Sequence, residues 1–342
     1  MRKSPVLGLL VIAAAALVAG RAEAQSDDGF YRGKTIKMIV GHPAGGDYDA
    51  GGRLLARHLS RHIPGAPTVV VENMPAAASI VAANYLYASA PKDGTVFGSF
   101  SRNLPSQAAL GEPNLQADPR RFNWLGATSL PSRVCVARTD AAVKSVGDLF
   151  THELITAGSG PGSSLSIVPT VLNHVLGTKF KLVQGYQGVP DGLIAVERGE
   201  VEGICNSLAQ FTPHADLFRD SKIRILFHAE ETALPDRPEV PSIYASAKDE
   251  AQKQLMRFVF SSVEFGRPYV LPPGVPPERV AILRKAFAET VKDPELLAEA
   301  AKLKVDMTFT PPEALALLST RLYETPKTTI ETVRKLVPAG HE

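Results

Sequence analysis

Thr35-Ile36-Lys37-Met38-Ile39-Val40-Gly41-His42-Pro43-Ala44-Gly45-Gly46-Asp47-Tyr48-Asp49 reads as a strand, a glycine-bearing turn and a helix start in close succession. The strand candidate covers 34–41, with Ile36, Met38 and Val40 alternating. Leu55, Leu59 and Ile63, four apart, carry a helix over 49–63. Two further segments repeat the design. A run at 68–72 enters Asn73-Met74-Pro75-Ala76-Ala77-Ala78-Ser79, and a run at 153–156 enters Ala157-Gly158-Ser159-Gly160-Pro161-Gly162-Ser163-Ser164. Such loops present free backbone N–H groups at helix starts, where an anion is stabilised. None carries a nucleophile–base set. The pattern points to a protein that holds a small anion without transforming it.

Outward from these loops, strand and helix patterns alternate. Strands are expected at 69–72 and 95–100 around an alanine-rich helix at 77–90, so the order βαβαβ predicts a parallel sheet. A second unit starts near Arg133, with strands at 133–138, 153–156, 179–184, 201–205 and 222–228 and helices at 163–176, 190–198 and 208–219. Hinge segments are expected at 126–131 and 206–228. The last third is different. Pro272-Pro273-Gly274-Val275-Pro276-Pro277 forms a rigid loop, and helices follow over 277–291, 295–303 and 312–336.

The N-terminus reads as a secretory signal over 1–24. Arg2 and Lys3 precede an apolar run at 6–20, and Ala22-Glu23-Ala24 supplies the cleavage site. Removing 24 residues from 342 leaves 318, enough for two cores. The leader holds Arg2, Lys3, Arg21 and Glu23, so it accounts for the formal net charge of +2, and the remaining chain is about neutral. The basic balance therefore carries no message about nucleic acid or an anionic membrane, and no nucleic-acid partner is expected. Cys135 and Cys205 both lie in apolar, strand-like runs. Buried free thiols are the first reading, and an oxidising compartment permits a disulfide instead.

Several chemistries are weighed and set aside. The 158–163 loop has Ser163 where a dinucleotide loop needs glycine, and no phosphate-loop lysine follows Gly46 or Gly162. His58 and His62 are four apart but lack a third ligand, so a solvated helix face is expected and no metal. No catalytic residue and no cofactor are assigned. Of Asp47 and Asp49, one is expected to cap the helix and the other to accept a ligand ammonium or hydroxyl. Tyr186, in Gln184-Gly185-Tyr186-Gln187-Gly188, is either a ligand wall or a core aromatic. Arg102, in Ser101-Arg102-Asn103, is the best-placed cation for a carboxylate.

These residues resemble the Bug-type extracytoplasmic solute receptors of tripartite tricarboxylate transporters. The resemblance lies in 41–49, in Val69-Val70-Val71-Glu72-Asn73-Met74-Pro75, in Pro91-Lys92-Asp93-Gly94-Thr95 and in 158–164. It continues through Gly185-Tyr186-Gln187-Gly188, Arg198-Gly199-Glu200-Val201-Glu202, Arg224-Ile225-Leu226, Val240-Pro241-Ser242 and the proline run at 272–276. It spans about residues 31 to 320, and the order and spacing of the segments are specific. Three departures stand out. Asn73–Ser79 has alanines and a serine where the family has glycines, Asn206 stands for the usual Asp, and Asp47 adds a negative charge.

The resemblance implies an α/β, two-domain type II periplasmic-binding-protein fold whose ligand cleft lies between the domains. Domain 1 is expected to comprise 25–128 plus 227–342, and domain 2 residues 129–226. The implied function is capture of a small organic carboxylate in the periplasm and its delivery to membrane transporter subunits, by a monomer. An exported enzyme on the same scaffold and a ligand-sensing receptor are the alternatives. One pocket is expected to gather Ala44, Gly45, Gly46, Asp47 and Tyr48; Ala76, Ala77, Ala78 and Ser79; Ser101, Arg102 and Asn103; Ser159, Gly160, Gly162, Ser163 and Ser164; Tyr186; and Asn206.

Overall fold

The structure, a computed structural model, describes residues 29–129, 132–160, 163, 165–234 and 236–336. The expected signal segment, Pro131, Gly162 and Ser164 lie outside the described residues. Two sheets organise the chain. The first contains β1 (Thr35–Val40), β2 (Thr68–Asn73), β3 (Val96–Ser99), β4 (Asn123–Thr128), β10 (Arg267–Leu271) and β11 (Phe309–Thr310), in the order β11-β4-β10-β3-β1-β2. The second contains β5 (Arg133–Arg138), β6 (Leu154–Gly158), β7 (Phe180–Gln184), β8 (Gly203–Ser207) and β9 (Ile223–His228), in the order β7-β6-β8-β5-β9.

The alternation read in the sequence puts β1 parallel to both β2 and β3 at the centre of the first sheet. Ile36, Met38 and Val40 are buried as their spacing predicts, and Ile39 is buried on the opposite face, because helices cover both faces of the sheet. One core joins Met38 and Val40 to Leu54, Leu55 and Leu59 of α1 (Asp47–Leu59) and to Leu283 and Phe287 of α8 (Pro277–Thr290). On the other face, Ile39, Phe100 and Trp124 pack with α2 (Ile80–Asn84) and α3 (Leu104–Ala109).

In the second sheet, β6 runs parallel to β7 and β8, and β5 runs antiparallel to β8 and β9. Helices α4 (Ile167–Leu176), α5 (Val189–Arg198) and α6 (Ala215–Arg219) belong to it. The sequence assigned nothing to 250–264, yet α7 (Glu250–Glu264) is the longest helix and Asp249 caps it through Gln252 N–H. It packs against α4 on one side. On the other it meets α3, α10 (Pro312–Tyr323) and α11 (Lys327–Leu336), so the apolar core runs on from one sheet to the other.

Other differences have local causes. The helix expected over 312–336 is two, because Pro326 interrupts it. The one expected at 77–90 is broken at its start, where Ala77, Ala78 and Ser79 all take positive φ. The strand β10 escaped the sequence pattern because Pro268 argues against a central strand; β3 pairs only with Tyr269 and Val270, beyond the proline. Gly126, read as a hinge residue, lies within β4 at φ 142°, and a Cβ there would collide with the rings of Phe309 and Phe287. The segment 206–228 lies within the second sheet, and the chain leaves that sheet only after His228.

The cysteine expectation is corrected. Cys135 on β5 lies directly opposite Cys205 on the antiparallel β8, with their Cα atoms 4.0 Å apart, and they form a disulfide. No free cysteine remains. Residue spacing alone hid this, because the two positions are 70 residues apart and meet only through strand register.

Candidate ligand site

The first loop is built by what α1 needs at its N-terminus. Gly46 is the N-cap in an extended conformation and offers no side chain to cap the helix. Asp49, in the third helical position, reaches back and accepts from Gly45 N–H at 2.8 Å. It also accepts from Arg53 (2.9 Å) and from Asn73 Nδ2 (2.8 Å). Burial pushes its carboxyl up, and these three hydrogen bonds outweigh burial and hold it below the usual carboxylate range. With Asp49 so used, the N–H groups of Gly46, Asp47 and Tyr48 have no acceptor among the described residues. They form the exposed positive end of the helix.

Three side chains lock this loop to the next two. Asn73 at the end of β2 donates to His42 O (3.0 Å). Ser79 Oγ donates to Gly41 O (2.8 Å) and lies 3.4 Å from His42 Nδ1. The Tyr48 hydroxyl accepts from Arg102 N–H (3.0 Å), and its ring stacks on His42 with centroids 3.7 Å apart and planes 7° apart. Burial holds the Tyr48 hydroxyl above its ordinary pKa and brings His42 down to about 4, against the pull of Asp47 and with the help of Arg102. The Arg102 guanidinium bonds to no described residue. Asp47 pairs through Oδ1 with Arg267 (3.2 Å), a buried arginine that also donates to Asp47 O and to Asp306 O. A Cβ at position 51 would collide with that guanidinium, which is why α1 has glycine there.

Residues 44–48, 76–79 and 101–103 are thus neighbours, although not all face outward. Ala76, Ala77 and Ala78 are exposed, whereas Ser79 is 1% exposed and Ser101 is buried, its Oγ accepting from Asn103 N–H (3.3 Å). The left-handed conformation of Ala77, Ala78 and Ser79 costs about 1–2 kcal/mol per residue relative to glycine. The bonds from Asn73 and Ser79 hold the loop in that shape.

In the second half the donors are arranged differently from the sequence expectation. Ser159, Gly160 and Ser163 do not stand at a helix start, because α4 begins only at Ile167. Gly160 N–H is already taken by Gln184 Oε1 (2.7 Å), and Ser163 N–H by Gly160 O (3.2 Å). Ser166 Oγ also donates to Gln184 Oε1 (3.2 Å), and Tyr186 N–H donates to Gly158 O (3.2 Å), so Ser159, Gly160, Ser163 and Tyr186 cluster. The Tyr186 ring packs against the core of its half. Burial, then the carboxylates of Glu200 and Asp191, hold its hydroxyl above the ordinary value. Asn206, buried on β8, accepts from Ser207 N–H (2.6 Å).

The helix expected at 190–198 is α5, which begins one residue earlier, and its start was not among the expected site residues. Gly188 is its N-cap, and Asp191 in the third helical position accepts from Gln187 N–H (3.1 Å), repeating what Asp49 does for α1. The shared signal is Gly-x-x-Asp, at Gly46–Asp49 and Gly188–Asp191. Among the described residues, no hydrogen bond joins the first group of loops to the second. Two surface depressions, of about 280 and 300 Å³, lie elsewhere, one beside Arg138 and Lys222 and one beside Tyr323 and Arg334.

His58 and His62 do not line a solvated face. His58 Nε2 is 2.7 Å from Glu299, and His62 Nε2 is 2.8 Å from Asp293, so His58 joins α1 to α9 (Pro294–Leu303) and His62 joins the turn after α1 to the cap of α9. His58, Asp293 and Glu295 lie close enough together to suggest a metal. One guanidinium, that of Arg61, bonds all three and puts positive charge where a cation would sit.

Among the described residues no helix is long and apolar enough to cross a membrane. The family described as the tripartite tricarboxylate transporter family receptor matches residues 52–319. A Cupriavidus necator protein, the UPF0065 protein in gbd 5'region, is 25% identical over 301 residues, covering 86% of this chain and 85% of that protein. Among solved structures, a TctC solute-binding protein from Polaromonas without ligand shares 19% identity at a TM-score of 0.71, over 90% of this chain and 100% of that one. MatC from Rhodopseudomonas palustris with bound malate shares 20% identity at a TM-score of 0.56, over 87% of this chain and 99% of that one. The two-sheet α/β architecture is that of periplasmic solute-binding proteins. With the profile covering most of its length, the chain belongs to the tripartite tricarboxylate transporter family of solute-binding receptors.

Proposed function

We propose that this receptor captures a small organic carboxylate and hands it to the membrane subunits of a tripartite transporter. The observation that carries the reading is the start of α1. Among the described residues, three N–H groups there have no acceptor, the loop around them is fixed by Asn73, Ser79 and Tyr48, and the Arg102 guanidinium, which bonds to none of the described residues, lies nearby. Charge-assisted hydrogen bonds contribute roughly 1.5–3 kcal/mol each, so two or three hold a carboxylate without a direct salt bridge. The start of α5 offers a second set of donors from the other half. Residues 25–128 plus 227–342 and residues 129–226 then act as two domains that close on the ligand and exclude water. The chain is exported by its leader and works as a monomer.

Binding without catalysis is supported by the serine–histidine approach between Ser79 and His42. Ser79 Oγ is buried and gives its proton to Gly41 O rather than to His42, so it is no nucleophile. The test is mass spectrometry of ligand released from gently purified protein, followed by calorimetry. A bound small carboxylate recovered unchanged supports the reading. Turnover of that acid, or a ligand without a carboxylate, overturns it.

A further inference from the structure

The polar groups beside the α1 start are not all donors. His42 stacks flat on Tyr48 and points Nδ1 at Ser79 Oγ. The single proton of Ser79 is committed to Gly41 O at 2.8 Å, so the Ser79 oxygen meets His42 with a lone pair. Nδ1 therefore carries the imidazole proton, and Nε2 is left as a lone-pair acceptor. No described residue donates to Nε2, and it is not a buried atom. Burial keeps the ring neutral down to about pH 4, so it does not turn into a cationic donor under ordinary conditions.

The charges around His42 fix what kind of donor suits it. Asp47 and Arg102 are the charged groups that act on the ring, and Arg267 joins them at Tyr48. Asp47 is paired with Arg267, so the uncompensated charge is that of Arg102. One ligand carboxylate balances it. An added ammonium would meet Arg102 with like charge, whereas a neutral hydroxyl would not.

Resting on the carboxylate reading above, we propose that His42 is a specificity residue: its Nε2 accepts a hydrogen bond from a hydroxyl next to the ligand's carboxylate, so the receptor selects hydroxycarboxylates over their deoxy counterparts. A site built to pair a hydroxyl discriminates strongly against the analogue that lacks it, because the acceptor is then desolvated without a partner.

The test is calorimetry of the exported protein with three matched pairs: lactate and propionate, malate and succinate, citrate and tricarballylate. The expected result is that the hydroxy acid of the pair that fits binds at least about tenfold more tightly than its deoxy partner, a conservative fraction of what such sites achieve. His42→Phe, which keeps a ring on Tyr48 but has no acceptor, is expected to abolish the preference, so that the hydroxy and deoxy acids of the pair bind within about twofold of each other. Equal or tighter binding of the deoxy acid by the unaltered protein overturns the proposal and leaves the carboxylate reading standing. A preference that survives in a folded His42→Phe also overturns it. If none of the six acids binds and the recovered ligand lacks a carboxylate, the underlying reading fails as well. The comparison within the unaltered protein decides the matter even if the variant does not fold.

Discussion

Helices α1 and α5 begin with the same device in different surroundings. Each has a glycine N-cap, and each has an aspartate in the third position bonded back to the N–H before the cap. At α1 that aspartate is buried and also tied to Arg53 and Asn73. At α5 Asp191 is exposed, and Pro190 removes one N–H from the first turn. The neighbourhood of α1 contains His42, Asp47 and Arg102, while the loops beside α5 are held by neutral side chains, Gln184, Ser163 and Ser166. Rigidity and charge are thus concentrated at the first helix start. On the proposed reading, the first half recognises the ligand and the second closes over it.

The largest expected effect concerns how the second half compensates for its sparse loop bonding. The Cys135–Cys205 disulfide closes a loop 70 residues long, so Cys135→Ser with Cys205→Ser is expected to lower stability by about 4 kcal/mol in denaturant titration. Ligand affinity under native conditions should change little, because the bridge lies within the sheet and the strand pairing around it remains. A large loss of affinity in a variant that still folds would break the proposed division of labour.

Replacing the two matched aspartates compares the helix starts directly. Asp49→Ala leaves Gly45 N–H, Arg53 and Asn73 without their acceptor and is expected to cost about 2 kcal/mol. Asp191→Ala removes a single exposed acceptor and is expected to cost about 0.5 kcal/mol. Equal costs in thermal or chemical unfolding would show that the two starts are equally rigid.

The seam between the halves gives a prediction for pH. Glu230 Oε1 accepts from Arg133 N–H (2.9 Å), which joins the start of β5 to the segment after β9, and His228 lies 3.6 Å away. Burial pushes the Glu230 carboxyl up to about 7, against the bond from Arg133 and with repulsion from Glu264. The unfolded chain releases this proton near 4.5, so the folded state holds more protons between 4.5 and 7, and the contribution of Glu230 to stability falls as pH rises across that window. Glu230→Gln should therefore gain about 2 kcal/mol on the unaltered protein between pH 5 and pH 8, read from unfolding free energies at the two pH values. An unchanged difference would mean that Glu230 is ionised and well solvated at the seam.

Much of this was legible in the sequence. The 35–49 stretch carried the strand, the turn and the acidic helix start, because each obeys a local rule. What escaped was decided by distant partners. The strand at Arg267–Leu271 hides behind Pro268 and exists because β3 and β4 flank it. Cys135 meets Cys205 through register, and His58 meets Glu299 through the packing of α1 on α9. The helix α5 was itself legible at 190–198, but the Gly-x-x-Asp cap at Gly188–Asp191 was not taken as a donor site, although it is as local a signal as the one at Gly46–Asp49.

The most direct test of the account is whether a backbone N–H at the start of α1 holds the carboxylate. Asp47 occupies the first helical position, and Gly46 before it has φ −80° and ψ 174°, a conformation compatible with a following proline. Asp47→Pro therefore deletes the donor without distorting the helix, and Asp47→Ala removes the same side chain while keeping the N–H. Calorimetry with the identified acid should show Asp47→Pro binding at least about tenfold more weakly than Asp47→Ala, as expected for one lost charge-assisted bond, with Arg102→Ala costing less. Equal affinities for the two position-47 variants, together with abolished binding in Arg102→Ala, would contradict the account and assign the carboxylate to a salt bridge.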